Sequence, residues 1–346
     1  MKKNSSRGIK EIAILAGVSI GTVDRILHNR GRVSAATQQK VKEIIKQINY
    51  KPNLLAKSLV NNKMRTVALL IPDHQQDEYW KQAYEGAENS IPKWEQQGFL
   101  FEPYLYSLDS SSSFEASGRE ILKSEPDGVI MAPNFLKEGK ALFDQCTAAS
   151  IPVIMFDTVV PDTQPLCFIG TDSFRSGMVA AELLHMTASR EGKFAILHFD
   201  EELKNSPHMM EKERGFLEYL KKECPDRNYI RIVLNNKHHY YHGQLQKMFE
   251  KDQISGIFVS TSKTYRIGSY LKKEKINGIR LVGYDLTSKN IDLLKIGFID
   301  FLINQNPKRQ TEQSINTLCN YLIYQVAVDQ NKLFPIEIIV RSNLNS

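Results

Sequence analysis

The sequence lacks any apolar run long enough to span a bilayer, for which about 20 residues are needed. Its 346 residues also lack a secretory signal, because Met1 to Asn4 leads into a charged amphipathic segment with no apolar core behind it. Both absences disfavour a membrane protein and an exported one. We therefore expect a cytoplasmic protein that makes no contact with a membrane.

Cysteines and catalytic motifs are scarce as well. The cysteines show no metal-ligand spacing and a cytoplasmic address disfavours disulfides, so we expect buried small side chains at Cys146, Cys167, Cys224 and Cys319. A histidine cluster has no partner cysteine or acid at convincing metal-ligand spacing, which favours a solvated loop or a helix start at His238, His239 and His242.

Catalytic motifs are absent from the sequence: there is no Walker loop, no G-x-S-x-G elbow and no H-E-x-x-H helix. We expect no metal, no cofactor and no catalytic residue, and therefore no enzyme.

Acidic residues are rare in the first 65 positions. This segment has 14 Lys and Arg against three acids, a net charge of +11, which leaves 31 basic and 36 acidic residues, a net charge of −5, for the rest. Such asymmetry is typical of a chain of which one end meets a polyanion. The segment also has regular apolar spacing, so a merely solvated basic tail is a poor interpretation.

The spacing predicts two short helices around a tight turn, which is typical of a helix-turn-helix. Gly17 can end the first helix in a left-handed conformation, and Ser19 can cap the second, from Ile20 to Leu27. A third helix follows, capped by Ser34 or Thr37. The predicted buried faces are Ile9, Ile12, Ala13 and Ala16 in the first helix, Val23, Ile26 and Leu27 in the second, and Val41, Ile44, Ile45 and Ile48 in the third.

The second helix is expected in the major groove, where each base pair shows a distinct donor and acceptor pattern. Arg25 is the candidate for a bidentate contact to guanine. Asp24 either accepts from a cytosine amino group or orients Arg25 and pairs with a neighbouring cation. Phosphate contacts set the register without reading sequence, and they suit Thr22, His28, Ser34 and Thr37.

A short apolar face follows in residues 49–59. Pro52 ends the preceding structure, and Pro52 or Asn53 can open a helix with Ala56 and Leu59 on nearly the same face. Such a helix is too short to be stable alone. We expect it to fold when two copies pack in a minor groove, where Leu59 would wedge between base pairs and kink the duplex.

The first 60 or so residues resemble the headpiece of the lactose-repressor (LacI/GalR) family. The matching positions are 9–13, 16–19, 22–25, 33–34, 37, 40–41 and 49–53. The resemblance implies base-reading positions at Ile20, Gly21 and Arg25. Asp24 stands where the family usually has serine, and Gly21 removes a side chain that commonly reads a base, so the operator cannot be copied from a relative. The predicted DNA-contact set is Lys10, Ser19, Ile20, Gly21, Thr22, Asp24, Arg25, His28, Ser34, Thr37, Asn53, Ala56 and Leu59.

From residue 66 the pattern changes to continuous apolar runs that alternate with helical segments. This alternation predicts buried parallel strands in a doubly wound α/β architecture. The predicted strands lie at 66–71, 128–131, 152–156, 193–197, 256–259 and 280–284, with helices between them, for example at 79–94 and 176–186. Ligands of such sheets bind at the carboxyl ends of the strands.

Polar and aromatic side chains follow several of these strands. Asp157 and Asp285 come directly after strands, Gln305 lies in a predicted crossover, and Tyr79 and Trp80 follow the first strand and its loop. Carboxylates and amides pair with vicinal hydroxyls, and an aromatic face covers the apolar side of a sugar ring. One such Asp alone would be a helix cap or a solvated loop residue, but several together favour a sugar site.

The body resembles the ribose/galactose-binding type of periplasmic sugar-binding fold found in the same repressor family. The matching stretches are 79–88, 127–130, 151–153, 213–216 and 282–285. The predicted effector-binding set, most of it placed by this resemblance, is Tyr79, Trp80, Asp157, Lys212, Ser262, Asp285 and Gln305. Lys212 replaces a common arginine and loses its planar fork. The usual Asn-Asp pair is missing at 260–263, and an acidic ligand is absent near Asn134 and Phe135.

We therefore predict a small all-α helix-turn-helix headpiece (residues 1–52), a hinge helix and linker (53–65) and an α/β two-lobed body like a periplasmic binding protein (66–346), made of two doubly wound parallel sheets. The approximate bounds are 66–165 with 307–335 for the first lobe and 166–304 with 336–346 for the second.

This combination predicts a sequence-specific transcription regulator, a repressor by the family's commoner habit, that binds double-stranded operator DNA. We expect a homodimer on a pseudo-palindromic operator, with a sugar or sugar-like effector between the lobes. Residues 341–346 have no heptad repeat, which disfavours a coiled-coil tetramer. The alternatives are a sugar-binding protein, a sugar-acting enzyme and a nucleoid-type binder without allostery. The effector, the operator, the target genes and the sign of regulation stay open.

Overall fold

The computed structural model describes residues 9–27, 33–47, 64–75, 77–199, 203–235 and 238–344. The chain divides into two units, one that ends at Met64 and one that begins at Arg65. Within the described residues, no helix combines the length and the apolar character that crossing a membrane requires.

The first unit is the small helical headpiece, with α1 (Ile9–Ala16), α2 (Ile20–Leu27) and α3 (Ala35–Gln47). Its core is formed by Ile12, Ala13, Ala16, Val23, Ile26 and Val41, with Ile44 and Ile45 half-buried beside it. These residues confirm the predicted apolar faces of all three helices. The side chains of Ile9 and Leu27, and the whole of Ile48, lie outside the described residues.

The turn between α1 and α2 follows from two residues. Gly17 has a φ of +67°, in the left-handed region that favours glycine, and the amide of Val18 donates to the carbonyl of Ala13 at 3.0 Å. Ser19 Oγ accepts from the Thr22 amide at 3.2 Å, which caps α2. The predicted left-handed turn and the predicted cap are both confirmed.

The second unit consists of two lobes in which strands and helices alternate. The first lobe begins with β1 (Arg65–Pro72), α4 (Glu78–Glu95), β2 (Phe99–Tyr106), α5 (Ser111–Ser124), β3 (Gly128–Met131), α6 (Leu136–Ala148), β4 (Val153–Phe156) and β5 (Cys167–Thr171). The second lobe continues with α7 (Ser173–Thr187), β6 (Lys193–His198), a 3₁₀ turn (Leu203–Asn205), α8 (Pro207–Glu223), β7 (Tyr229–Val233), α9 (His238–Lys251), β8 (Ile254–Val259), α10 (Thr264–Lys273), β9 (Arg280–Tyr284), α11 (Ser288–Lys295) and β10 (Phe301–Asn304). The chain then returns through α12 (Pro307–Tyr324) and β11 (Asn331–Phe334) and ends in β12 (Glu337–Ile339).

The strands form two separate sheets, in the orders β11-β5-β4-β3-β1-β2 and β12-β10-β9-β8-β6-β7. The strand pairs are parallel except β10 with β12, which is antiparallel. The two doubly wound sheets of the predicted fold class are therefore present. One lobe boundary was wrong: β5 pairs with β4 in the first sheet, so the chain crosses after Thr171 and not near residue 166.

The central strands are buried on both faces, which explains their continuous apolar sequence. In β1, Val67, Leu69 and Ile71 belong to the core on one face of the first sheet, and Ala68 and Leu70 belong to the core on the other. The second sheet is covered in the same way by two clusters. Both lobes are thus three-layer sandwiches.

The scarce cysteines and the histidine cluster have structural roles. The cysteines are free, and three are buried, but Cys224 is only half-buried, which corrects the prediction there. The histidine cluster begins α9, as the helix-start interpretation predicted, and the His242 ring packs on the rings of Tyr241 and Tyr270. Within the described ranges, no three His, Cys, Asp or Glu side chains are grouped as metal ligands.

Candidate functional site

The headpiece exposes the residues that were predicted to read DNA. Ile20 opens α2 and is 48% exposed. Gly21 and Arg25 are exposed on the same helix. An exposed aliphatic group beside an arginine suits a groove surface, where thymine methyl groups and guanine edges are read.

Hydroxyl pairs lie at the starts of α2 and α3. Ser19 Oγ lies 2.9 Å from Thr22 Oγ1, and Ser34 Oγ lies 2.7 Å from Thr37 Oγ1. Ser34 Oγ also accepts from the Thr37 amide at 3.3 Å, so it caps α3. Three of the four predicted phosphate-contact residues, Thr22, Ser34 and Thr37, therefore lie at two helix N-termini, which are favourable places for a phosphate group.

Six residues of the predicted DNA-contact set lie, entirely or by their side chains, outside the part of the chain that the structure describes. His28, Asn53, Ala56 and Leu59 lie outside the described residues, as does most of the predicted hinge segment. The side chains of Lys10 and Asp24 also lie outside them. The DNA-contact roles of the whole set stay predictions.

In the body, the cleft between the lobes contains a cavity of about 90 Å³. The seven predicted effector residues all line it. They come from the start of α4, the ends of β4 and β9, helix α8, the segment after β8 and the crossover after β10: Tyr79, Trp80, Asp157, Lys212, Ser262, Asp285 and Gln305. Six separate segments of the sequence thus converge on one space.

Asp157 is held in place by the first lobe. It directly follows β4 with a left-handed φ of +64°, and its amide donates to Gln310 Oε1 at 2.9 Å. Its Oδ1 accepts from the Tyr79 hydroxyl and its Oδ2 accepts from Thr158 Oγ1 at 3.1 Å. Burial raises the pKa of this carboxyl above its ordinary value, against the hydrogen bond from Tyr79 and the charge of Lys212.

Asp285 is the corresponding residue of the second lobe. It follows β9, also with a left-handed φ, of +67°, and it is 1% exposed. Its two oxygens accept from the amide and the side-chain Nε2 of Gln305, at 3.1 and 2.9 Å. Burial raises the pKa of Asp285 to about 7, although the charge of Lys212 and the bonds from Gln305 oppose this change.

Lys212 supplies a buried cation from α8. It is 2% exposed, its Nζ lies 3.8 Å from the centroid of the Tyr284 ring, and it donates to the carbonyl of Ser260 at 3.4 Å. Burial lowers the pKa of this ammonium group, and the charges of Asp285 and Asp157 oppose that shift. The cavity lining therefore includes two lysines (Lys212 and Lys263) and three aspartates (Asp77, Asp157 and Asp285), and a polyol could donate to the acids and accept from the ammonium groups.

Sequence reasoning missed several cavity residues. Asn134 and Phe135 follow the end of β3, so the strand-end rule that found Asp157 could also have found them. No sequence pattern pointed to His208, which is the second residue of α8 and closely follows a short 3₁₀ turn. Its Nδ1 is buried without a hydrogen-bond partner among the described residues. Burial and the charge of Lys212 lower the pKa of His208 to about 3, so this imidazole is neutral.

A buried polar chain lies behind Lys212. His198 Nδ1 lies 2.8 Å from Ser260 Oγ, its Nε2 lies 2.9 Å from Glu213 Oε2, and Arg231 donates to Glu213 Oε1 at 3.1 Å. His198 and Ser260 are fully buried, so this serine–histidine–glutamate series offers no access to a substrate. It ties α8, which holds Lys212, to three strands of the second sheet.

Two family profiles match the chain. The profile described as "Periplasmic binding protein domain" matches residues 67–325. The profile described as "Bacterial regulatory proteins, lacI family" matches residues 8–53. The two matches together cover the headpiece and nearly all of the two-lobed body.

Individual proteins also resemble the chain, some over most of its length and others over less than half of it. A sucrose operon repressor from Lactococcus lactis subsp. lactis is 25% identical over 91% of this chain and 91% of its own length. The HTH-type transcriptional regulator RegA of Clostridium acetobutylicum is 32% identical over 43% of each chain. A crystal structure described as that of a LacI transcriptional regulator from Bacteroides fragilis has 29% identity and a TM-score of 0.77, covering 82% of this chain and 99% of the other.

Proposed function

Because this chain belongs to the lacI family of bacterial regulatory proteins and has a periplasmic binding protein domain as its body, we propose that it is a repressor controlled by a sugar. The family makes it a DNA-binding transcription regulator and not an enzyme. In this proposal a sugar or a sugar-like polyol binds between the lobes and changes the affinity of the headpiece for its operator.

One observation carries the proposal: the predicted effector residues line a single cavity between the lobes. Asp157 and Asp285 are already oriented by neighbouring donors, so they accept ligand hydroxyls without first reorganising. Lys212 offers ammonium hydrogens to the same space. Among the described residues the cavity lining contains two lysines but no arginine to hold a phosphate in a bidentate way, so a neutral polyol is a better fit than a strongly anionic phosphate ester.

Regulation requires that the cavity and the headpiece be coupled. We propose a homodimer in which paired headpieces read a pseudo-palindromic operator. Closure of the lobes on the ligand would change the distance between the two hinge segments at 53–65, which changes DNA affinity. A coupling free energy of roughly 1–3 kcal/mol is typical of such linkage. The sucrose operon repressor among the relatives supports repression as the direction of control.

The DNA half of the proposal is tested by selecting genomic fragments with the purified, ligand-free protein and sequencing them. We expect one pseudo-palindromic sequence to be enriched. Arg25→Ala should relax the preference at one symmetric pair of positions, with a loss of about 1–3 kcal/mol for the preferred base. Equal weakening for all sequences would make Arg25 a phosphate contact, and no enrichment in the presence or absence of sugars would contradict the proposal.

The effector half is tested by calorimetry with a panel of neutral monosaccharides and disaccharides, followed by DNA binding with any sugar that binds. Asp285→Ala should abolish sugar binding and leave DNA binding without sugar unchanged. Asp226→Ala is the matched control, because Asp226 is an exposed acid away from this cavity. Sugar binding that leaves DNA affinity unaltered would contradict the regulatory role of the cavity.

A further inference from the structure

Helices α6 and α11 are among those at the cleft that begin without a side-chain cap from their own N-terminal flanking residue. Phe135 precedes α6 and has no side chain that can accept a hydrogen bond, and Thr287 precedes α11 without capping it. The Thr287 hydroxyl is buried and has no hydrogen-bond partner among the described residues. The first amides of a helix have no acceptor within the helix, so they need one from elsewhere.

At α11 the acceptor comes from the opposite lobe. Glu78, the first residue of α4 in the first lobe, accepts from the Ser288 amide at 2.7 Å and from the Ser288 hydroxyl at 2.9 Å. A carboxylate at this place also interacts favourably with the positive end of the helix dipole. One turn further along α4, Gln82 Nε2 donates to the Leu286 carbonyl at 3.0 Å.

At α6 the roles of the lobes are reversed. Asn205 of the second lobe accepts from the Lys137 amide at 3.1 Å, and its Nδ2 donates to Glu138 Oε2 at 3.0 Å. Asn205 is 9% exposed, so this contact is largely shielded from water. Each lobe therefore caps a helix that belongs to the other lobe.

Both caps are adjacent in sequence to the ligand cavity. Glu78 precedes Tyr79, whose hydroxyl donates to Asp157, and Asn205 precedes Ser206, which lines the cavity. On the side that receives the cap, Lys137 follows the cavity residues Asn134 and Phe135 closely. The caps can form only when the lobes approach each other, and this approach also encloses the cavity.

We infer that Glu78 and Asn205 are positioning residues that hold the effector cleft closed by capping α11 and α6 across it. The regulatory meaning of this closure rests on the proposed function. Opening the cleft leaves both helix N-termini uncapped, and closing it restores both, so the caps favour the closed state. The apparent affinity for an effector scales with the fraction of molecules that can close around it, and the caps raise this fraction.

The test is amide hydrogen exchange on the full-length, ligand-free protein, read at Ser288 and Lys137. Asn205→Ala removes the acceptor of Lys137 and should also accelerate exchange at Ser288, on the other rim of the cleft, by about 3- to 10-fold because the open state becomes more populated. Glu78→Ala should accelerate exchange at Lys137 in the same way. Glu78→Gln retains one acceptor oxygen and should give an intermediate effect.

The matched control is Ser110→Ala, which removes a cap within the first lobe, where Ser110 Oγ accepts from the Ser113 amide at 3.3 Å. It should accelerate exchange at Ser113 alone. Unchanged exchange in β1 and β6 shows that each variant is folded. Acceleration confined to the amide that lost its own acceptor would overturn the inference, as would unprotected amides at both sites in the unmodified protein. Because neither DNA nor sugar is needed, the result is independent of the proposed function.

Discussion

Asp285 and Lys212 are both almost completely buried beside the ligand cavity. Burial disfavours the charged form of each of these groups. It raises the pKa of Asp285 to about 7 and lowers the pKa of Lys212. The ionised forms of Asp285 and Lys212 are therefore costly in the folded protein, and a ligand with hydroxyl groups would offset part of this cost by hydrogen bonding to them.

The cost can be measured through Asp285→Asn. An unfolded Asp has a pKa near 3.9, so with a folded pKa of about 7 the folded state binds its proton more tightly. The destabilisation is absent below about pH 4, grows as the pH rises, and is complete above pH 7. We expect Asp285→Asn to increase the free energy of unfolding by up to about 4 kcal/mol at pH 8, which corresponds to a pKa of about 7 instead of 3.9, and to change it little at pH 4.

Urea unfolding at both pH values provides this measurement, with Asp226→Asn as an exposed control. An increase of the same size at pH 4 and pH 8 would show that the effect comes from packing and not from the charge of Asp285.

At the scale of helices, α7 and α8 lie in backbone contact. A Cβ at Gly177 would overlap the carbonyl of Lys212, and a Cβ at Gly215 would overlap the carbonyl of Phe174. The absence of side chains at these two positions fixes how closely α8 approaches its neighbour. The position of Lys212 in the cavity therefore depends on a glycine in another helix.

Gly177→Ala should separate the two helices and displace Lys212. We expect it to destabilise the protein by about 1–3 kcal/mol and to weaken binding of any sugar found in the calorimetric panel. Gly243→Ala is the matched control, because a Cβ there meets no atom within 4 Å, and alanine in a helix should stabilise by up to about 1 kcal/mol. Equal stability of the two variants in urea unfolding would contradict the close-contact explanation.

The elements that sequence reasoning found are those with the clearest burial patterns. Strands β3 and β9 match their predicted bounds because buried central strands read as continuous apolar runs. Strands β2 and β7 were missed, since both lie at sheet edges and neither has a continuous buried run. The lobe boundary was misplaced because a short strand such as β5 does not reveal which sheet it joins.

The cavity was predictable to the extent that its residues follow strands. Asp157 and Asp285 occupy strand ends, so both could be found from the order of elements. Lys212 was predicted from the family resemblance alone, and His208 was predicted neither from the order of elements nor from the resemblance. Residues near the start of α8 reach the cavity only through the packing of that helix. The caps across the cleft depend on the relative position of the two lobes, which no local sequence pattern encodes.

At the scale of the whole molecule, charge is divided between the two units. Residues 1–64 have a net charge of +10 and residues 65–346 have −4. DNA therefore attracts the headpiece while it weakly repels the body, so an operator complex should depend on the headpiece for its electrostatic affinity.

This division predicts a strong salt dependence. We expect the operator affinity of the full-length protein to fall by about 10³-fold or more between 50 and 200 mM salt, as for proteins that make six or more phosphate contacts. Fluorescence anisotropy with a labelled operator measures this slope. A nearly flat response would mean that the basic residues of the first unit do not contact phosphates.

The path of the chain through the two lobes has a consequence during synthesis on the ribosome. One face of the first sheet is covered by Ile315, Leu318 and Cys319 of α12, which begins about 150 residues after β4 ends. At typical translation rates of about 5–20 residues per second, the nascent first lobe exposes the part of this apolar face that α12 later covers for roughly 8–30 seconds. During that interval the second lobe emerges and folds, so the growing polypeptide depends on molecular chaperones or on rapid local collapse to avoid aggregation.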